Sequence, residues 1–190
     1  MGRDRDPFDR TFETLRQRLT QPDAVRGAPL AVIPLAQALG VSPTPVREAL
    51  AKLSGEGLVV RTAGGYRGLA LDRGSLADRY DLAAILAIAA ANDRWVEDRA
   101  APDQAGDPLA LLASLTSSRT LARALLRVSA QLAPFAPAEA ALLGRADAEA
   151  IIAAIGAGAS GRPLATLARR YCRRRARRAG DILARTLGLS

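Results

Sequence analysis

With no histidine and a single cysteine, Cys172, this 190-residue chain has few routes to covalent chemistry. Ser-His and Cys-His nucleophile pairs, imidazole proton shuttles and His-rich metal sites cannot be assembled from it. One cysteine forms no intrachain disulfide, which points to a reducing cytosol. What the chain has in excess is guanidinium: 27 Lys and Arg against 19 Asp and Glu give a net charge of +8 and a pI near 11.0, and Lys52 is the one lysine. Residues 161–190 alone hold nine arginines and one acid. Planar, permanently charged forks bind phosphates and carboxylates, so polyanions are candidate partners. A compositional bias towards Ala and Arg would account for part of the excess without any function.

The elements that must position these groups are mostly helical. Aromatics make up 4% of the chain and alanine is abundant, the composition of close-packed helices rather than a β-sandwich. Asp6 and Pro7 signal the start of a first helix carrying Phe8, Phe12, Leu15 and Leu19 on one face. Pro34 opens a short helix with Leu35 and Leu39, stopped by Gly40. Ser42 is placed to cap a third, in which Val46, Ala49, Leu50 and Leu53 share a face opposite Arg47, Glu48, Ala51 and Lys52; Gly57 ends it. Leu58–Thr62 and Tyr66–Leu71 then read as hairpin strands around a turn of Ala63, Gly64 and Gly65. Helix, short helix, helix, hairpin is the order of a winged helix-turn-helix.

From Asp72 onward the pattern is helical. Ser75 with Asp78 resembles a capping box opening a long helix through Tyr80, Leu82, Ile85, Leu86 and Ile88 towards Trp95. A loop over Ala101–Pro108 follows, then helices from Pro108 to Thr116, through Leu121, Leu125, Val128 and Leu132, and, after Pro134 and Pro137, through Leu142, Leu143, Ile151, Ile152 and Ile155. The loop Gly156–Gly161 precedes a final helix from Pro163, for a bundle of five or six. On that last helix Leu164, Ala168, Tyr171, Cys172, Ala176, Ala179, Ile182, Leu183 and Leu187 form one apolar arc, with Arg170, Arg173, Arg174 and Arg177 facing away. Those four read first as a solvated face, and second as a contact for DNA or an acidic partner. Arg175 falls inside the arc, where a guanidinium needs a partner: a carboxylate such as Asp78, Asp81 or Asp107, or an anion in a pocket shared with Tyr171. Cys172 reads as core packing rather than a redox sensor.

The string LAQALGVSPTPVREALAKLSGEGLV, Leu35 to Val59, followed by Gly65-Tyr66, resembles the helix-turn-helix of GntR-family bacterial transcription regulators. The likeness covers about residues 8–71; the helical remainder looks like the FCD (FadR-like) effector domain of the family. The implied fold is mostly α, a winged helix-turn-helix with a small hairpin wing over residues 1–72 and an all-helical effector-binding and dimerisation domain over 73–190. The implied function is sequence-specific DNA binding by a regulator, typically a repressor and not an enzyme. It would act in the cytoplasm as a homodimer on a palindromic operator and be modulated by a small organic acid. A second reading keeps the DNA-binding head but not the sensing, leaving a constitutive binder governed by partner proteins or abundance.

A recognition helix lays its N-terminal residues in the major groove. The candidate DNA contacts are therefore Ser42, Pro43, Thr44, Arg47 and Lys52 from the helix, and Arg61, Gly64, Gly65, Tyr66 and Arg67 from the wing. Pro43 stands where relatives carry a basic residue, and AVIPLAQ lacks the charges common in their turn helix, so contacts are missing on both. The metal-binding histidines of the FCD branch are also missing: Ala148 and Tyr171 stand at or near two of their positions and Ala159 at the acidic turn. No metal or other cofactor is expected. The N-terminal MGRDRDPFDR has no apolar run after its charges, and nowhere are there 18 consecutive apolar residues, so neither an export signal nor a membrane contact is expected.

Overall fold

A computed structural model describes residues 7–25, 27–93 and 106–189. The expected cap Asp6, Trp95 and most of the loop before Asp107 lie outside these residues. The chain divides between Ala70 and Leu71 into two compact units.

In the first unit, α1 (Pro7–Leu19), α2 (Val32–Leu39) and α3 (Pro43–Gly55) are followed by strands β1 (Val59–Thr62) and β2 (Gly65–Gly68). The apolar positions close one core: Phe12, Leu15, Leu19, Ala36, Val46, Ala49, Leu50, Leu53 and Leu58 are all buried. Helix α2 starts two residues earlier than expected, with Pro34 inside its first turn, where a missing N–H costs nothing. Gly40 ends it in the left-handed conformation, φ 65°, with its own N–H on Gln37 O and the N–H of Val41 on Ala36 O. Gly57 does the same after α3 at φ 74°, followed by the N–H of Leu58 on Leu53 O.

The hairpin pairs Val59 with Gly68, Val60 with Arg67, Arg61 with Tyr66 and Thr62 with Gly65. Its turn is thus the two residues Ala63-Gly64, tighter than expected, and Gly65 begins the second strand. Gly65, at φ 120°, is the turn-flanking position that needs glycine. Segment 27–30, expected as plain loop, lies along β2: the N–H of Leu30 donates to Tyr66 O and that of Gly68 to Ala28 O.

The second unit has seven helices among the described residues: α4 (Arg73–Asn92), α5 (Pro108–Leu115), α6 (Arg119–Leu132), α7 (Ala136–Leu143), α8 (Ala146–Gly156), α9 (Arg162–Arg177) and α10 (Ala179–Thr186). Two expected helices are each split, at Gly144 (φ 70°) and at Arg178, which raises the count. Helix α4 is capped by Asp72, whose carboxylate accepts from the Ser75 N–H, rather than by a Ser75–Asp78 box.

Helix α4 turns its small residues inward. Tyr80 is buried, but its companions are Leu76, Ala83, Ala84, Ala87, Ala90 and Ala91; Leu82 and Ile85 face outward at 45% and 66% exposure. Alanine lets α4 approach α9, which packs along it and presents Leu164, Ala165, Ala168, Tyr171 and Cys172 to the core. No described helix is long and apolar enough to cross a membrane.

Candidate nucleic-acid interface

Helix α3 holds its place through Val46, Ala49, Leu50 and Leu53, each with no measurable exposure. At roughly 25 cal/mol per Å² of buried apolar surface, that row fixes how the opposite face is presented. On the opposite face Ser42, Thr44, Arg47 and Glu48 are exposed and Pro43 is half-buried. Ser42 sits at the N-cap with extended backbone, yet its side chain makes no capping bond, and Pro43 occupies the first helical position. The first turn of α3 therefore presents small side chains and a positive helix end, a disposition that favours phosphate. Ser42, Thr44, Pro45 and Glu48 border an open hollow of about 750 Å³ with Pro7 and Phe8 of α1. Arg47 lies one turn further on, about 6 Å along the axis.

Not all of the expected contacts share this face. Lys52 lies roughly 140° around the helix from Arg47, and its Nζ sits 4.0 Å from the Phe12 ring centroid and 5.4 Å from that of Phe8. It is a cation–π clasp between α3 and α1. In the hairpin, directly paired residues share a face and neighbours in one strand alternate. Arg61 therefore shares a face with Tyr66, while Arg67 shares the other with Val60. Arg67 is occupied as well, its Nε donating to Gly27 O at 3.0 Å. Arg61 and the Gly64 tip are exposed, and Tyr66 is half-buried. The structure thus groups Ser42, Pro43, Thr44 and Arg47, keeps Arg61 and Gly64–Tyr66 on the wing, and gives Lys52 and Arg67 holding roles.

The sequence reading missed what seats the wing. A Cβ on Gly27 would come within 2.9 Å of Ala70 Cβ, and one on Gly68 within 3.0 Å of Ala24 O, so these two glycines allow the 27–30 segment to lie against β2.

In the second unit, Arg175 is buried at 3% exposure. Its partner is Glu139 of α7, to which its Nε donates, rather than Asp78, Asp81 or Asp107. Tyr80 Oη donates to the other oxygen of Glu139 at 2.5 Å. Arg175 Nη1 donates to Tyr171 O at 3.1 Å, and the guanidinium stacks 3.5 Å from the Tyr171 ring centroid. Asp107 is occupied elsewhere: it caps α5 at the Leu109 N–H and accepts from Ser129.

Burial, reinforced by Glu139, holds both the Tyr80 and Tyr171 phenols well above the usual range. Burial lowers the pKa of Arg175, but Tyr171 and Glu139 outweigh it and the net shift is upward. The cavity beside this cluster, bordered by Tyr80, Asp107, Ser129, Glu139 and Tyr171, measures about 40 Å³. That is little more than the room for one water. Cys172, also fully buried, has its thiol pushed up to about 12 by that burial; the thiolate required for redox chemistry is suppressed. The divalent metal that the resemblance to the FCD branch implies does not fit the residues standing at its expected positions. Ala148 and Ala159 offer no donor, and Tyr171, near the last histidine position, lies against the Arg175 cation.

Residues 7–65 match the family model of the bacterial regulatory proteins of the gntR family, a family of regulators rather than enzymes; this segment is a GntR-type helix-turn-helix domain. No curated protein matches the chain. Among solved structures, a protein described as a GntR transcriptional regulator from Rhodococcus sp. RHA1 is similar at a TM-score of 0.68 and 18% identity, over 96% of this chain and 98% of that one. McbR/YncC of E. coli is similar at 0.56 and 18%, over 97% and 96%. At such identities the likeness concerns the fold.

Proposed function

From the premise that residues 7–65 are a GntR-family DNA-binding domain, we propose that the chain is a sequence-specific transcription regulator, a repressor, that inserts the first turn of α3 into the major groove. The observation that carries this is the exposed row Ser42, Thr44 and Arg47 at the N-terminus of a helix whose other side is wholly buried. A guanidinium there can bridge the O6 and N7 of guanine, and the small residues before it allow phosphate to approach the helix end. Arg61 and the Gly64 tip reach a neighbouring groove or backbone. Two copies on a palindromic operator fit this reading, and the outward Leu82 and Ile85 of α4 are apolar side chains that a second copy would cover. The setting is the cytoplasm, where such DNA lies.

Modulation by a small organic acid held at Tyr171 and Arg175 belongs to the same reading. A specific observation favours the variant without it: Glu139 already supplies the carboxylate that Arg175 needs, and the adjoining cavity of about 40 Å³ is far below ligand size. Genomic footprinting followed by titration of the recovered duplex with purified protein tests the DNA reading. A defined protected sequence, bound far more tightly than random duplex at the same salt, is the expected result. Equal affinity for every duplex would defeat it.

A further inference from the structure

Along the outside of α9 runs an open groove of about 700 Å³, away from the buried cluster. Its lining is Leu142 and Leu143 from the end of α7, Thr166 of α9, and six guanidinia from α9 and the residue after it. Two of the six, Arg170 and Arg174, hold the same carboxylate, that of Asp147, at 3.2 and 2.9 Å, and Asp147 is itself nearly buried. Arg178 is taken by Asp181. The other three, Arg169, Arg173 and Arg177, are exposed and form no ion pair among the described residues. They recur every four residues, hence about 6 Å apart along one stripe of the helix.

Like charges at that spacing repel and weaken the helix that carries them. The stripe is therefore a standing cost that a dense anion would relieve. Its planar forks are the shape that phosphate oxygens accept in pairs, and three of them span about 12 Å, the scale of a short phosphate chain with its ester. Leu142 and Leu143 give a purely ionic ligand nothing, and a duplex backbone presents no apolar group at the level of its phosphates. A small molecule with charge at one end and an apolar or aromatic body at the other uses both linings, and the groove's volume lies in the range such ligands fill.

We propose that the α7–α9 groove is a binding site for a small di- or triphosphate ester with an apolar or aromatic body. Phosphate oxygens sit on Arg169, Arg173 and Arg177, and the body rests on Leu142 and Leu143. Arg170 and Arg174 are fixed by Asp147, so that side of the groove is already ordered before the ligand arrives. The assignment does not depend on the DNA reading.

The test is a titration of the full chain into mant-ADP, a fluorescent aromatic ester of ADP, followed by anisotropy at about 150 mM salt. Saturable binding is expected, reversed by ATP and by inorganic tripolyphosphate. The R169Q/R173Q/R177Q variant should weaken it at least tenfold, by roughly the loss of three exposed charge-assisted contacts, and should unfold no earlier than the wild type because a repulsion has been removed. R119Q/R123Q, which takes two exposed arginines from α6, should change it less than about twofold. Leu142→Asn should weaken mant-ADP but not tripolyphosphate. Absence of saturable binding, or equal losses in the two arginine variants, would overturn the site. Displacement of mant-ADP by random-sequence duplex as efficiently as by ATP would reassign the groove to nucleic-acid backbone and overturn the small-ligand assignment. Operator binding, measured separately without nucleotide, shows whether the DNA reading stands or falls by itself.

Discussion

The two units treat charge in opposite ways. In the first, the buried residues are apolar apart from Thr11, and every arginine of the expected DNA face stands outside. In the second, Glu139, Asp147 and Arg175 are buried together with Thr116 and Ser129. The first unit buries none of the arginines of that face and leaves Arg47 and Arg61 available to an outside partner, while Arg67 is held by Gly27 O. The second closes its buried charges on partners, Glu139 on Arg175 and Asp147 on Arg170 and Arg174, so its interior has a fixed internal geometry and little space for a guest. An outward-facing arginine is a candidate contact, whereas an inward one is a structural commitment.

Breaking that commitment should give the largest effect. Glu139→Ala strands the Arg175 guanidinium in the core and is expected to destabilise the protein by about 3–5 kcal/mol in urea unfolding. Replacing both partners, as Glu139→Leu with Arg175→Met, should recover most of the loss, because two apolar side chains need no counter-charge. If the single and double variants were equally unstable, packing rather than charge would be the reason.

The alkaline limb of stability comes next. A free thiol titrates near 9 and Cys172 in the fold at about 12, while the Tyr80 and Tyr171 phenols are also raised. All three groups ionise first in the unfolded chain. Their contribution is complete below the unfolded values and is lost as pH rises through the folded ones, by a few kcal/mol in all. Urea midpoints should therefore fall from about pH 9 upward. Cys172→Ala should remove the earliest part of that fall and leave the part starting near pH 10.

The first unit should respond in binding, not in stability. Arg47→Ala is expected to cost about 1–3 kcal/mol of operator affinity with an unchanged unfolding midpoint; an unaltered affinity would place Arg47 outside the contact. Smallest of all is the wing pair. Gly65→Ala should cost roughly 1 kcal/mol of stability, because φ 120° strains any side chain. Gly64→Ala, with nothing within 4 Å of the added methyl, should stay within about 0.5 kcal/mol of the wild type.

The same contrast explains what the sequence disclosed. The head was legible because its signals are local: apolar spacing in α1 and α3, left-handed glycines after α2 and α3, and a motif read in register over 25 residues from Leu35 to Val59. A surface arginine needs no partner to be recognised. Arg175 was recognisable as an anomaly in an apolar arc, but its partner lies 36 residues away on another helix, and no spacing rule selects Glu139 over Asp107. The inward side of α4 was hidden for a related reason. Leu82 and Ile85 mark a helix by their spacing, but the side packed towards the core is the run of small alanines, which lets α4 approach α9 closely. Lys52 and Arg67 were legible as charges, but not as the fastenings that Phe12 and Gly27 make of them.

That alanine seam has a mechanical consequence. Where two long rods meet through methyl groups, their separation is set almost by the main chains, and no flexible side chain is left to absorb a displacement. Helices α4 and α9 should therefore melt as one piece. Amide exchange along Ala83–Ala91 and Ala165–Cys172 should show a single opening energy, and widening the seam with Ala87→Leu should lower both stretches by the same amount.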